Sequence, residues 1–138
     1  MNFQYEKLKN PEFFCENRLP AHSDHDAFAC LEDMETGENR LRLCLNGPWK
    51  FFYALNEGQV IPGFEKLEYD CSAWADISVP AHIQMEGYGV PQYCNIQYPW
   101  DGSEDIAPGQ IPERFNPVAC YAKTFVLPDT MLNMPVRI

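Results

Sequence analysis

Between residues 93 and 100 the chain reads Tyr93-Cys94-Asn95-Ile96-Gln97-Tyr98-Pro99-Trp100, two carboxamides set among three aromatic rings. That combination has the chemistry to hold a sugar. Aromatic rings match the apolar faces of a pyranose, and an amide both donates to and accepts from neighbouring hydroxyls. Asn95, Gln97, Tyr98 and Trp100 supply those groups together. The same composition also serves to pack a proline-bearing loop, so the residues alone leave both roles open.

No other stretch offers a reaction centre. The chain has no G-x-S-x-G elbow, no phosphate-binding P-loop and no G-x-G-x-x-G turn. His22 and His25 lie beside Asp24 and Asp26, but no strand or helix pattern supports them, and the segment reads as a solvated loop. His82 follows Pro80-Ala81 and reads as structural. Glycoside hydrolysis needs two carboxyl groups facing each other at about 5 to 9.5 Å, and sequence spacing in loops does not establish that. Glu104, Asp105 and Glu113 read as solvated loop charges. No catalytic residue and no metal ligand is assigned.

Composition bounds the remaining classes. The 138 residues suit one domain, and a hydrophobic content of 46% argues against disorder throughout. A net charge of −10 repels phosphate backbones, which excludes nucleic acid as a natural partner. The six cysteines, at 15, 30, 44, 71, 94 and 120, form no C-x-x-C pair, and the opening MNFQYEKLKNPEFF lacks the form of a signal peptide. A reduced, cytoplasmic chain is expected. No apolar run approaches the roughly 20 residues that a membrane helix requires.

The elements that would position the aromatic–amide stretch are strands. Residues 1–40 have little periodicity and read as an irregular arm, with Met34 to Arg40 as a turn. Residues 41–138 read as the domain proper. Leu41, Leu43 and Leu45 alternate with Arg42 and Cys44, and Trp49, Phe51 and Tyr53 alternate with Lys50 and Phe52. This pattern predicts two strands joined by a tight turn at Asn46-Gly47-Pro48. Residues 56–76 predict a loop with one helical turn near Glu65–Tyr69, and Ile77 and Val79 a short strand. Six prolines and four glycines among residues 80–117 predict a long loop with one short strand near Gln92–Gln97. Ala119–Leu127 predicts a strand, and Pro135–Ile138 opens another at the last residue of the sequence. The expected fold class is all-β, most simply a sandwich. A sandwich without its final strands exposes an apolar face and unpaired edges, so marginal stability is expected.

Five segments, in order, carry a family resemblance. Tyr93 to Trp100 resembles the Y-x-N-x-x-Y-P segment of β-galactosidases in glycoside hydrolase family 2. Asn10-Pro11 with Asn17-Arg18-Leu19-Pro20-Ala21-His22 resembles its N-P…N-R-L-x-A-H opening. Leu45 to Phe51 is similar to its S-L-N-G-x-W-x-F strand pair, Val79-Pro80 with Gln84 to Tyr88 to V-P-x-x-W-Q-M-x-G-Y, and Asn116 to Tyr121 to N-P-x-G-x-Y. The resemblance implies a jelly-roll (galactose-binding-like) sandwich, incomplete at its C-terminal side. It implies that Asn95 contacts galactose hydroxyls, with Tyr98 and Trp100 shaping the loop or pocket wall. The parent would be a retaining enzyme acting on terminal β-D-galactose, as in lactose. Its catalytic glutamates would lie beyond Ile138, leaving these residues inactive alone. Magnesium, sodium, the rest of the chain and a homo-oligomeric assembly are implied for that parent. Ile83 stands where the pattern has tryptophan, and Lys7 where some members place a metal-binding aspartate, so no metal site is carried over. The competing expectations are a stand-alone carbohydrate-binding module and a non-catalytic interaction fragment.

Overall fold

The computed structural model describes residues 4–23, 25–91, 95 and 100–138. Its regular core is a three-stranded antiparallel sheet: β1 (Gly47–Ala54) lies between β2 (Ala75–Val79) and β3 (Val118–Ala122). A short helix, α1 (Leu31–Thr36), and single turns of 3-10 helix at Tyr5–Lys9, Glu57–Gln59 and Asp129–Met131 complete the described elements. An antiparallel, mostly β architecture agrees with the expected class.

The alternation of β1 works as the sequence predicts. Pairing of Trp49 with Ile77 and of Phe51 with Tyr121 puts these side chains on one face; Phe52 and Cys120 share the other. Both faces are covered. Phe51, only 1% exposed, meets Tyr121 at 4.9 Å and Tyr88 at 4.6 Å, both edge-on. On the reverse face Phe52, Phe64 and Tyr69 lie 5.5, 5.6 and 5.7 Å from Trp74, whose indole N–H donates to the Tyr69 hydroxyl. Burial pushes the pKa of the Cys120 thiol up.

Several expectations are corrected. Residues 41–46 are not a strand, and no hairpin turns at Asn46-Gly47-Pro48; Gly47 instead opens β1. Alternation favours extended backbone, but a strand also needs a neighbour's ladder, and β1 has both edges taken by β2 and β3. What holds residues 45–48 is Lys123. Its ammonium donates to the carbonyls of Leu45, Asn46 and Pro48 at 3.0, 3.3 and 3.2 Å and lies 5.6 Å over the Trp49 ring. The indole of Trp49 donates to the same Leu45 carbonyl at 2.8 Å. Lys123→Met is expected to lower stability by about 1–2 kcal/mol, read as a lower urea midpoint at unchanged m-value.

The predicted strand Ala119–Leu127 stops at Ala122, and Pro135–Ile138 belongs to no strand. The helical turn near Glu65–Tyr69 is a succession of turns closed by Lys66 to Gly63 and Tyr69 to Lys66 hydrogen bonds. The short strand predicted near Gln92–Gln97 falls largely outside the described residues, and Asn95 itself lies in a turn.

The stretch read as a turn from Met34 begins inside α1, which Gly37 ends in a left-handed conformation (φ 77°). The α1 carboxylate Asp33 is 3% exposed and accepts from the Arg40 guanidinium, with Nε 2.7 Å and 2.9 Å from its two oxygens. That guanidinium holds its carboxyl below the ordinary range. A depressed pKa contributes stability above the unfolded value of about 3.9, and that contribution is lost as pH falls through the lower folded value. Residues 30–40 are therefore expected to become protease-sensitive below about pH 4, and Asp33→Asn to be sensitive already at neutral pH. Unchanged cleavage of both between pH 3 and 7 would refute this latch.

Candidate functional site

The described residues on either side of the stretch that carries Asn95 and Trp100 are held to β1 and the residues just after it. At its start, Met85, Glu86 and Tyr88 close turns back to His82 and Ile83. These turns present the Tyr88 ring to Phe51 and Tyr53. Gly89 follows with φ 68°, a conformation that favours glycine, and a Cβ there would stand 2.8 Å from the Tyr53 hydroxyl, so a side chain would force the Tyr53 ring to shift. At its end, the Asn116 amide donates to the Leu55 carbonyl at 2.9 Å, and the Asn56 side chain donates to the Arg114 carbonyl at 3.3 Å. The loop thus leaves from beside the core aromatic cluster and returns to the end of β1.

Inside the loop, Glu104 acts as a second clasp. Its two oxygens accept the amides of Glu113 and Arg114, each at 3.0 Å, and these hydrogen bonds keep its pKa low. Glu104 is therefore not the solvated charge that its sequence context predicts, because its partners lie nine and ten residues away in a segment folded back upon it. Asp105 and Glu113 are exposed, as expected. Amides of Ser103 and Glu104 close a turn on the Trp100 carbonyl at 2.9 and 3.2 Å. The folded-back loop borders an open hollow of about 490 Å³ lined by Trp100, Asp101, Glu104, Asp105 and Gln110, among others.

The three candidate residues are thus placed differently. Trp100 is half-buried and lines this hollow; Asn95 is exposed in a turn and is not part of its lining; Tyr98 lies outside the described residues. An aromatic ring beside carboxylates and an amide suits hydroxyl recognition. Glu104, Asp101 and Gln110 were missed as neighbours of Trp100; the adjacent Asp-Gly and Pro-Gly turns were the available signal, since they fold the loop back.

The resolved pKa shifts of the described carboxyl groups run one way. Those with a shifted pKa, Asp33, Asp70 and Glu104, all shift downward. The causes are hydrogen bonds from Arg40, from Ser72 and from the Glu113 and Arg114 amides. A general acid working near neutrality needs the opposite shift. His22 is exposed with Nδ1 2.7 Å from the Pro20 carbonyl, His25 is exposed, and Asp26 pairs with Arg42 at 3.5 Å; Asp24 lies outside the described residues. His82 is exposed. Lys7 pairs with Glu16 at 2.8 Å and lies over the Phe13 ring. Among the described residues, no three His, Cys, Asp or Glu side chains gather into a set that could hold a metal ion.

Comparison with known proteins gives this loop its context. The profile of "Glycosyl hydrolases family 2, sugar binding domain" matches residues 42–138. A β-galactosidase of Halalkalibacterium halodurans is 46% identical over 132 residues, 95% of this chain and 13% of the relative. A β-galactosidase of Streptococcus thermophilus is 45% identical over 131 residues with the same coverage. A β-galactosidase large subunit of Leuconostoc lactis is 34% identical over 143 residues, 95% of this chain and 23% of that subunit. The chain spans about 13% of the length of the first two of these relatives. With the profile covering most of its length, the chain belongs to glycosyl hydrolase family 2 through that family's sugar-binding domain.

Proposed function

We propose that the chain serves as the N-terminal portion of a β-galactosidase, in which it positions the galactose of a β-galactoside for hydrolysis. The observation that carries this reading is the 46% identity to a β-galactosidase along 95% of the chain, with the sugar-binding profile over residues 42–138. Asn95 is the sugar-contacting residue, its amide donating to one hydroxyl while accepting from another. Tyr98 and Trp100 shape the loop or a pocket wall. The exposed turn position of Asn95, between flanking residues held to β1 and those just after it, supports a role toward a group outside this domain. In the same reading, residues 1–40 form an arm and residues 41–138 a jelly-roll sandwich whose further strands come from the remainder of the enzyme.

The reaction retains anomeric configuration through a glutamate nucleophile and a second glutamate as acid/base. Both belong to the remainder, so these 138 residues are inactive by themselves. A single asparagine cannot replace two carboxyl groups. Magnesium and sodium are the metals expected of the parent enzyme, and no step here passes through them. The parent is a homo-oligomer in the cytoplasm.

The test is hydrolysis of a chromogenic β-galactoside by this chain alone, and by the chain mixed with the Streptococcus thermophilus relative lacking its matching segment. Activity in the mixture only, lost with Asn95→Ala, is the expected result. Activity from the chain alone would overturn the assignment of the glutamates.

A further inference from the structure

Residues 100–117 hold their shape without a core of their own. None of them is buried, and Trp100 at their start is half-buried. Hydrogen bonds take the place of packing, and they converge on one side chain. The two carboxylate oxygens of Glu104 accept one amide each, from Glu113 and Arg114, at 3.0 Å. That draws the returning limb of the loop onto the outgoing one. The returning limb is tied to the residues just beyond β1: the Asn56 side chain donates to the Arg114 carbonyl at 3.3 Å, and the Asn116 amide donates to the Leu55 carbonyl at 2.9 Å. On the outgoing limb the amides of Ser103 and Glu104 hold the Trp100 carbonyl at 2.9 and 3.2 Å. A path of hydrogen bonds thus runs from the end of β1, through the Glu104 carboxylate, to Trp100. Asn95 stands five residues before Trp100 in the chain. Five extended residues span at most about 18 Å, so the place where Trp100 is held limits where Asn95 can reach.

We propose that Glu104 is a positioning residue of the sugar site, holding the Trp100 end of this stretch so that Asn95 meets the galactose, an inference that rests on the function proposed above. The residue type suits the task. A carboxylate offers acceptors only, and two of them aimed at neighbouring amides make two charge-assisted hydrogen bonds. A glutamine of the same reach offers one acceptor, and its NH2 group meets the second amide donor to donor. The same hydrogen bonds keep the Glu104 pKa low, so the clasp is ionised at neutral pH. With the clasp open, the loop samples arrangements in which Asn95 is misplaced, and substrate binds only the competent fraction. Apparent affinity falls by that fraction, whereas saturating substrate restores the competent arrangement and with it kcat.

The experiment measures kcat and KM for a chromogenic β-galactoside in a fusion of this chain to the Streptococcus thermophilus relative lacking its matching segment. Glu104→Ala is expected to raise KM roughly 5- to 20-fold at nearly unchanged kcat, and Glu104→Gln to raise it by a smaller factor. Glu68→Gln, at an exposed residue between β1 and β2, removes the same charge and is expected to leave both constants unchanged. KM does not depend on how much of the enzyme is folded. A merely structural role therefore lowers kcat at constant KM, and that outcome overturns the proposal, as does an unchanged pair of constants. In an Asn95→Ala background the rise in KM from Glu104→Ala is expected to vanish, because the two residues act as one unit. A rise of equal size in both backgrounds means that Glu104 acts by another route and overturns the proposal. The two readings fail separately. Inactivity of the unaltered fusion, or full activity of its Asn95→Ala variant, overturns the functional reading and the positioning role with it. An Asn95-dependent fusion whose KM ignores Glu104→Ala removes the positioning role alone.

Discussion

Replacing Phe51 with alanine is expected to abolish the cooperative unfolding transition of the chain. Among the described residues Phe51 is the largest fully buried side chain, and it contacts Tyr53, Tyr88 and Tyr121 at once. Truncation removes the buried ring and leaves a cavity between a central strand and the loop above it, a loss of about 3–5 kcal/mol. The two edge-on ring contacts add about 0.5–1.5 kcal/mol each to what the burial alone provides. Whole domains of ordinary size are stable by only about 5–15 kcal/mol, and a three-stranded sheet belongs at or below the lower end. The measurement is a urea titration followed by tryptophan fluorescence, with Phe51→Leu as the volume-sparing comparison. A Phe51→Ala chain whose midpoint matches the unaltered one would mean that the core lies elsewhere.

The second large effect concerns Asn95. In the mixture or fusion with the remaining enzyme, Asn95→Ala is expected to lower kcat/KM for a β-galactoside by about 10- to 100-fold, the loss of hydrogen bonds to the reacting sugar. Stability should not change, because Asn95 is exposed in a turn outside the sheet. A fall in kcat with little change in KM would place the interaction mainly in the transition state, whereas a rise in KM alone would place it equally in bound substrate. Trp100→Ala separates pocket wall from loop packing. A packing role lowers the midpoint of unfolding, and a wall role lowers activity at unchanged midpoint. Full activity of Asn95→Ala in the fusion would remove Asn95 from the site.

Long-range partners decided which local patterns became strands. The alternation of Leu41 to Leu45 is as regular as that of Trp49 to Tyr53, yet only the second forms a strand. Period two marks extended backbone, and a ladder forms only where a neighbour supplies the matching amides and carbonyls. For β1 those neighbours are Ala75–Val79 and Val118–Ala122, at opposite ends of a loop-rich stretch, and nothing local to residues 41–45 reveals that they have none. The same limit explains Glu104. Read with its neighbours it is a loop carboxylate, and only the folding back of residues 113 and 114 makes it a clasp.

By itself, then, the sequence determined family membership, the acidic composition and the two faces of β1. These are properties of residue type and spacing, written locally. Only the tertiary structure decided the rest. It set the Asp33–Arg40 latch, the Lys123 bridge to residues 45–48 and the hollow beside Trp100. Each joins residues distant in sequence or pairs groups across a turn. The free energy of such contacts depends on burial and geometry that no local pattern encodes.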